Sequence, residues 1–214
     1  MTSKPPIAIP IVCFGDSITA GFNFPEHVRW TRRLHALLEE SHPGQYEVYN
    51  RGIGGNTTTD GIARFTEHVT SLLPGIVLIE FGFNDASVPG PSLLHRCEPA
   101  IFKIQLTEII RMIREKKGQP VLIVNHPIHR STSDAMQCNG KSYIENYAGY
   151  TDIVREVARE TETPAIDLER SMTEDGVSPD DLLDSDGLHL KSGGNVIYAE
   201  HVLRGLLPIL NKTP

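Results

Sequence analysis

Hydrophobic positions along the chain follow two rhythms. Short apolar runs, rich in Val and Ile and bounded by Gly, Pro or Asn, occupy residues 7–14, 46–50, 76–81, 121–125 and 165–168. That is the composition of strands closed by turn residues. Between them the spacing becomes helical. Phe102, Leu106, Ile109 and Ile113 recur at i, i+4, i+7 and i+11 and therefore share one helix face. Residues 26–40, 58–72, 143–160 and 194–207 follow the same period with less clarity. The run at 7–14 has no polar alternation, which suits a strand covered on both faces.

Strand–helix alternation repeated five times over these runs predicts an α/β fold, a parallel sheet with helices on both sides. No repeat, low-complexity tract or linker divides the 214 residues, so residues 1–214 are expected to form one domain. In such sheets ligands gather beyond the carboxyl ends of the strands. Functional side chains should therefore follow strands directly.

Composition narrows the function. Apolar residues at 39% and charged residues at 22% describe a globular chain. A net charge of -7 with scattered basic residues argues against a nucleic-acid groove or an anionic membrane surface. The longest apolar runs are strand-length, so no membrane insertion is expected. The first ten residues hold one Lys and three prolines and lack the apolar run of a secretion signal. Three cysteines at unrelated spacings fit neither a disulfide framework nor a zinc site. A cytoplasmic location follows as the expectation, unless a leader has been removed.

Candidate chemistry falls into four clusters. Phe14-Gly15-Asp16-Ser17-Ile18 follows the first strand, and Gly15 permits a sharp turn into a helix beginning at Ser17. A serine becomes a nucleophile only when a base takes its proton. The same residues could instead serve as a helix cap through Asp16 or Ser17. The second cluster, residues 50–58, is a glycine-rich turn that could bring a backbone N–H close to a ligand. It lacks the third glycine and the acidic partner of a dinucleotide loop. Its Asn56-Thr57-Thr58 is also a glycosylation sequon. The third, Gly82-Phe83-Asn84-Asp85, places an amide donor after the third strand.

The fourth cluster, Asp184-Ser185-Asp186-Gly187-Leu188-His189, sets an acid three residues before a histidine, the spacing that faces both to one side of a helical turn. Asp186 would then orient His189 toward Ser17, a triad in the chain order Ser, Asp, His. The acidic run at 180–186 lacks the closing Glu of a calcium loop. His126 and His129 follow the fourth strand without a third ligand for a metal, which leaves His126 as a candidate pocket residue. Phe22 and Phe24 are candidates for an acyl pocket, and equally for anchoring the next helix in the core. The polar segment 131–141 is a candidate lid or rim.

Taken together, Gly15-Asp16-Ser17-Ile18, the block ending Gly55-Asn56-Thr57, Gly82-Phe83-Asn84-Asp85 and Asp186-Gly187-Leu188-His189 resemble the four blocks of the GDSL, or SGNH, hydrolases, in order and across nearly the whole chain. The resemblance implies a flavodoxin-like three-layer α/β/α sandwich with strand order 2-1-3-4-5. It implies Ser17 as nucleophile, His189 as general base and then acid, and Asp186 as the orienting carboxylate. The backbone N–H groups of Ser17 and Gly55 and the Asn84 side chain would form the oxyanion hole, with Gly54 as the alternative to Gly55. It implies no metal and no organic cofactor.

The expected partner is a small-molecule ester, and the expected activity a serine esterase for short acyl chains acting through an acyl-enzyme. The Asp-Gly-Leu-His-Leu motif followed by Gly-Asn is similar to the isoamyl-acetate-hydrolysing branch. Sugar deacetylases, thioesterases and lysophospholipases of the same family are alternatives. A non-catalytic flavodoxin-like binding module is the alternative of another kind. Neither a Walker pattern nor a Gly-x-Ser-x-Gly elbow occurs, which disfavours a nucleotide-binding protein and the α/β-hydrolase fold.

Overall fold

The computed structural model describes residues 8–21, 23–91, 93–129 and 136–211. Its five strands are β1 (Ile9–Gly15), β2 (Tyr46–Gly52), β3 (Ile76–Glu80), β4 (Gln119–Val124) and β5 (Ala165–Asp167). All pair in parallel, in the spatial order β2-β1-β3-β4-β5. This is the parallel sheet expected from the alternation, in the strand order that the family resemblance implies. β1 lies between β2 and β3, so the chain leaves it to one side and later returns to its other side. A crevice opens at such a switch point, beyond the strand's carboxyl end.

The helices are α1 (Ser17–Ala20), α2 (Trp30–Ser41), α3 (Thr58–His68), α4 (Pro99–Glu115), α5 (Tyr143–Tyr147), α6 (Tyr150–Glu160), α7 (Leu168–Glu174), α8 (Pro179–Leu182) and α9 (Ser192–Leu210). α2 packs against α9, while α3 packs against α4 and α4 against α6, giving the outer layers. The helical face read from the sequence of α4 is the buried one: Phe102, Leu106, Ile109 and Ile113 are all core. Val12, Cys13, Phe14, Val77, Leu78, Val121 and Leu122 fill the sheet's centre. Each large apolar side chain so buried contributes about 1.5–3 kcal/mol.

The structure departs from the sequence reading where tertiary contacts override local period. Residues 26–40 divide into a 3-10 turn (Glu26–Val28) and α2, because Arg29 is extended at ψ 142. Its guanidinium Nε donates back to the Phe24 carbonyl at 2.9 Å. Residues 143–160 divide into α5 and α6, because Ala148 leaves helical geometry at ψ 128. The break lets the Tyr143 hydroxyl reach the Phe83 carbonyl at 2.6 Å and the Tyr150 hydroxyl the Cys97 carbonyl at 2.7 Å. Residues 58–72 close as α3 followed by a 3-10 turn (Thr70–Leu72). β2 runs two residues past its expected end, and Ile7 lies outside the described residues.

Candidate active site

Three strand ends and one loop meet around Ser17. α1 starts directly after β1, and Asp16 takes the N-cap role: its Oδ1 accepts the Ile18 N–H at 2.9 Å. The cap and the nucleophile candidate are thus adjacent but separate residues. Capping by Asp16 leaves the Ser17 hydroxyl and its backbone N–H without a helical partner. Two further contacts fix the short helix. Trp30, fully buried, donates its indole N–H to the Ile18 carbonyl at 2.9 Å. Gly52 ends β2 so close to α1 that a Cβ there would lie 2.1 Å from the Ala20 nitrogen. Any side chain at position 52 would displace the helix that carries Ser17.

Beneath this turn lies a buried polar layer. Asp16 Oδ2 accepts a side-chain N–H of Asn84 at 3.1 Å, and Glu80 Oε2 accepts the Thr19 hydroxyl at 2.9 Å and the Asp16 N–H at 3.4 Å. Asp16 and Glu80 are both fully buried. Burial, and then the neighbouring Glu80 carboxylate, push the Asp16 carboxyl well above its ordinary range, against the pull of the Ile18 N–H. Burial raises Glu80 as well, opposed by its bonds from Thr19 and Asp16. Two carboxyls this close favour keeping a proton on the pair. That lowers the negative charge behind the Asn84 amide.

Asn84 itself is partly exposed, and one N–H of its amide remains for a ligand after the bond to Asp16. Its neighbour Asp85 turns the other way. Asp85 is buried and its Oδ1 accepts both the N–H and the hydroxyl of Thr58, at 2.9 and 2.6 Å, at the start of α3. Burial pushes this carboxyl up, and the Thr58 bonds partly offset it.

The glycine-rich turn resolves into a tight reversal. The Asn56 N–H donates to the Ile53 carbonyl at 3.2 Å, with Gly55 at φ +78. This is the third position of a type II turn, where glycine is favoured. The Gly55 N–H has no acceptor among the described residues. Gly55 is exposed, and a Cβ there would meet nothing within 4 Å, so the conformation rather than crowding calls for glycine.

The fourth block brings an imidazole to Ser17. Ser17 Oγ lies 2.9 Å from His189 Nε2, and His189 Nδ1 lies 2.6 Å from Asp186 Oδ2. A carboxylate only accepts, so Nδ1 carries the proton and Nε2 accepts from the Ser17 hydroxyl. The other Asp186 oxygen accepts the N–H groups of Leu188 and His189, both at 2.9 Å, and so shapes the loop that presents the imidazole. Partial burial pushes the Asp186 carboxyl up, but the His189 ring and these N–H donors outweigh it and hold it below its ordinary range.

Of the remaining candidates, Phe24 lines a cavity of about 10 Å3 with Ser17, Ile18, Gly21, His189, Leu190 and Asn195. Phe22 and residues 131–135 of the segment 131–141 lie outside the described residues. His126 is buried, and its Nε2 donates to the Leu188 carbonyl at 2.9 Å, so it braces the loop carrying His189. Burial lowers its pKa to about 4, which keeps it neutral. Beside that bond, His126 lines a cavity of about 220 Å3 with Pro127, Ile128, Ile144, Tyr147 and Glu169. Among the described residues, no group of three or more His, Cys, Asp or Glu is placed to hold a metal ion.

Sequence reasoning missed Glu80, Arg64, Trp30 and Asn195. Asn195 Oδ1 accepts the Trp30 N–H at 2.9 Å and thereby caps α2 from α9, far away in the chain. Of these, Glu80 alone carried a signal in the sequence, as the one acid in the apolar run 76–81.

Residues 13–197 match the GDSL-like Lipase/Acylhydrolase family. The chain belongs to this family. It is 28% identical to the arylesterase of Vibrio mimicus, over 92% of this chain and 88% of that one. It is 27% identical to the uncharacterized lipoprotein YqeF of Bacillus subtilis, over 88% of this chain and 86% of that one. The crystal structure of the lipase/acylhydrolase from Enterococcus faecalis superposes with a TM-score of 0.77 at 27% identity, covering 94% of this chain and 96% of that one. As a GDSL hydrolase with esterase relatives, this protein is a carboxylic ester hydrolase. No helix among the described residues is long and apolar enough to cross a membrane.

Proposed function

We propose that the protein is a serine esterase for short acyl chains, working through an acyl-enzyme on Ser17. The observation that carries this reading is the line from Ser17 Oγ to His189 Nε2 at 2.9 Å and from His189 Nδ1 to Asp186 Oδ2 at 2.6 Å. His189 takes the Ser17 proton as Oγ attacks the ester carbonyl. The carbonyl oxygen becomes an oxyanion and receives N–H groups from Ser17, Gly55 and Asn84. His189 then delivers the proton to the leaving alcohol. Water, deprotonated by the same imidazole, releases the acid and restores Ser17. Asp186 stays ionised throughout and stabilises the imidazolium.

The short-chain preference rests on the cavity of about 10 Å3 beside Ser17 and His189. That is room for roughly one water-sized group, enough for an acetyl methyl and too little for an extended chain. The alcohol side is open, since Gly55 and Asp186 are both exposed. A series of p-nitrophenyl esters from acetate to decanoate, with matched thioesters and acetylated sugars, tests the reading. The expected result is the highest kcat/KM with acetate or propionate, falling with each added pair of carbons. A maximum at eight or more carbons would reject the short-chain reading. No hydrolysis across the panel would favour the binding-module reading.

A further inference from the structure

Arg64 is a half-buried cation one and a half turns into α3, outside the four blocks, and nothing in the reaction above calls on it. Its three guanidinium nitrogens go to three different segments. Nη2 donates to the Gly15 carbonyl at 2.9 Å, Nη1 to the Arg51 carbonyl at 2.8 Å, and Nε to Asn56 Oδ1 at 2.6 Å. The guanidinium also lies over the Phe14 ring, 4.4 Å from its centroid. Burial lowers its pKa to about 10, so it remains charged at neutral pH.

The three acceptors are the ends of β1 and β2 and the last residue of the Gly55 turn. Gly15 stands two residues before Ser17, while Arg51 and Asn56 flank Gly55 on either side. The Gly15 carbonyl also accepts the Ile53 N–H at 3.1 Å, at the first residue of that turn. One side chain therefore ties the segment bearing the Ser17 N–H to the segment bearing the Gly55 N–H. Among the described residues no backbone bond from the Gly55 N–H holds it: it is exposed, and its turn is closed by the bond from Asn56 to Ile53. The rigidity an oxyanion donor needs has to come from outside the turn, and the rigid fork of an arginine supplies it.

We infer that Arg64 is a positioning residue for the oxyanion hole, fixing the Gly55 N–H relative to the Ser17 N–H through Gly15, Arg51 and Asn56. This inference rests on the reading of Ser17, Gly55 and Asn84 as the hydrolytic centre. A lysine at position 64 keeps the charge and loses the fork, so it can satisfy at most part of the set. Displacing a donor by a fraction of an ångström weakens the transition state more than substrate binding.

The test compares Arg64→Lys, Asn56→Ala, their double variant, each combined with Asn84→Ala, and Ser17→Ala, on p-nitrophenyl acetate. Thermal unfolding is followed in parallel, with assays well below each melting temperature. Arg64→Lys is expected to lower kcat about tenfold or more with KM changed less than about twofold. Asn56→Ala should give a smaller loss of the same kind. The Arg64→Lys/Asn56→Ala double should be no worse than Arg64→Lys alone, because both act through one turn. Combination with Asn84→Ala should multiply, because that donor is held separately by Asp16.

A melting temperature that falls while kcat stays within about twofold would overturn the inference and leave Arg64 a structural clamp. If Arg64→Lys does not fold, Asn56→Ala decides alone: a lower kcat at constant KM supports the role, and an unchanged kcat overturns it. Full activity in Ser17→Ala would refute the catalytic reading itself. An inactive Ser17→Ala beside undiminished Arg64→Lys and Asn56→Ala would refute only the role of Arg64.

Discussion

The Asp16 and Glu80 carboxyls behind Ser17 are fully buried, whereas the side chain of Asp186, which orients His189, is 50% exposed. The first region grows out of the carboxyl ends of β1, β2 and β3, with α1 wedged between Gly52 and the Trp30 indole. The second is the loop 184–190, held by the Asp186 bonds to its own backbone, by His126 at Leu188 and by the His129 N–H on the Gly187 carbonyl at 2.9 Å. On the proposed mechanism, the difference follows from what each region would do. Dipoles that stabilise a developing oxyanion help most when they are fixed in advance and shielded from water. An imidazole that passes a proton to a leaving alcohol and takes one from water has to remain accessible to both.

Removing either proton partner gives the largest effect. Ser17→Ala and His189→Ala are each expected to cost roughly a thousandfold or more in kcat, and the double variant should be no worse than the worse single. A burst of p-nitrophenol with one variant, or losses that multiply in the double, would break the pairing seen at 2.9 Å.

The next prediction sets the two regions against each other. Asn84→Ala should lower kcat on the order of several hundredfold, because a mobile water is a poor substitute for a donor fixed in advance by its bond to Asp16. Asp186→Ala should cost less, about a hundredfold or below, because water can reach the vacated Nδ1–H of a loop this open. Saturation kinetics of both variants on one short ester decide it. A larger loss for Asp186→Ala would mean that orienting the imidazole matters more than fixing the donors.

The smallest effect concerns the brace of the base loop. His126 has its pKa lowered to about 4 by burial, against an ordinary value near 6.5 when unfolded. Between those values the unfolded chain binds the proton and the folded chain does not. Stability is therefore full above about pH 6.5 and falls as pH drops toward about 4, by on the order of 3 kcal/mol from this group. Urea unfolding from pH 7.5 to 4 should show a flatter acid limb in His126→Gln, which keeps a donor for the Leu188 carbonyl. An identical slope in both proteins would contradict a neutral, buried His126.

The legible part of the molecule is the part written in local pattern. The apolar runs that become β1 and β3 are covered on both faces, so their hydrophobicity is continuous and easy to read. Ser17, Asn84, Asp186 and His189 stand just after strands or within a short acidic loop, where spacing alone suggests proximity. The unread part is made of long-range bonds. Arg64 looks like any arginine on an amphipathic helix until its acceptors at Gly15, Arg51 and Asn56 are brought around it. Asp85 is an ordinary acidic residue in sequence and Glu80 stands out only as an acid in an apolar run; both become structural when burial removes water and leaves Thr58 and Thr19 as donors. The break at Ala148 likewise follows from bonds to the distant Phe83 and Cys97 carbonyls.

By itself, the sequence determined the alternation of strands and helices, the parallel sheet, and the residue types that gather at its carboxyl edge, because periodicity and turn chemistry are local properties of the chain. Only the tertiary structure decided that Asp16 caps while Ser17 stays free, that His126 braces a loop, and that Arg64 ties two strand ends to the Gly55 turn. Those outcomes depend on which donor meets which acceptor, and only the packed arrangement of strands β1 to β4 and their connecting loops brings them together.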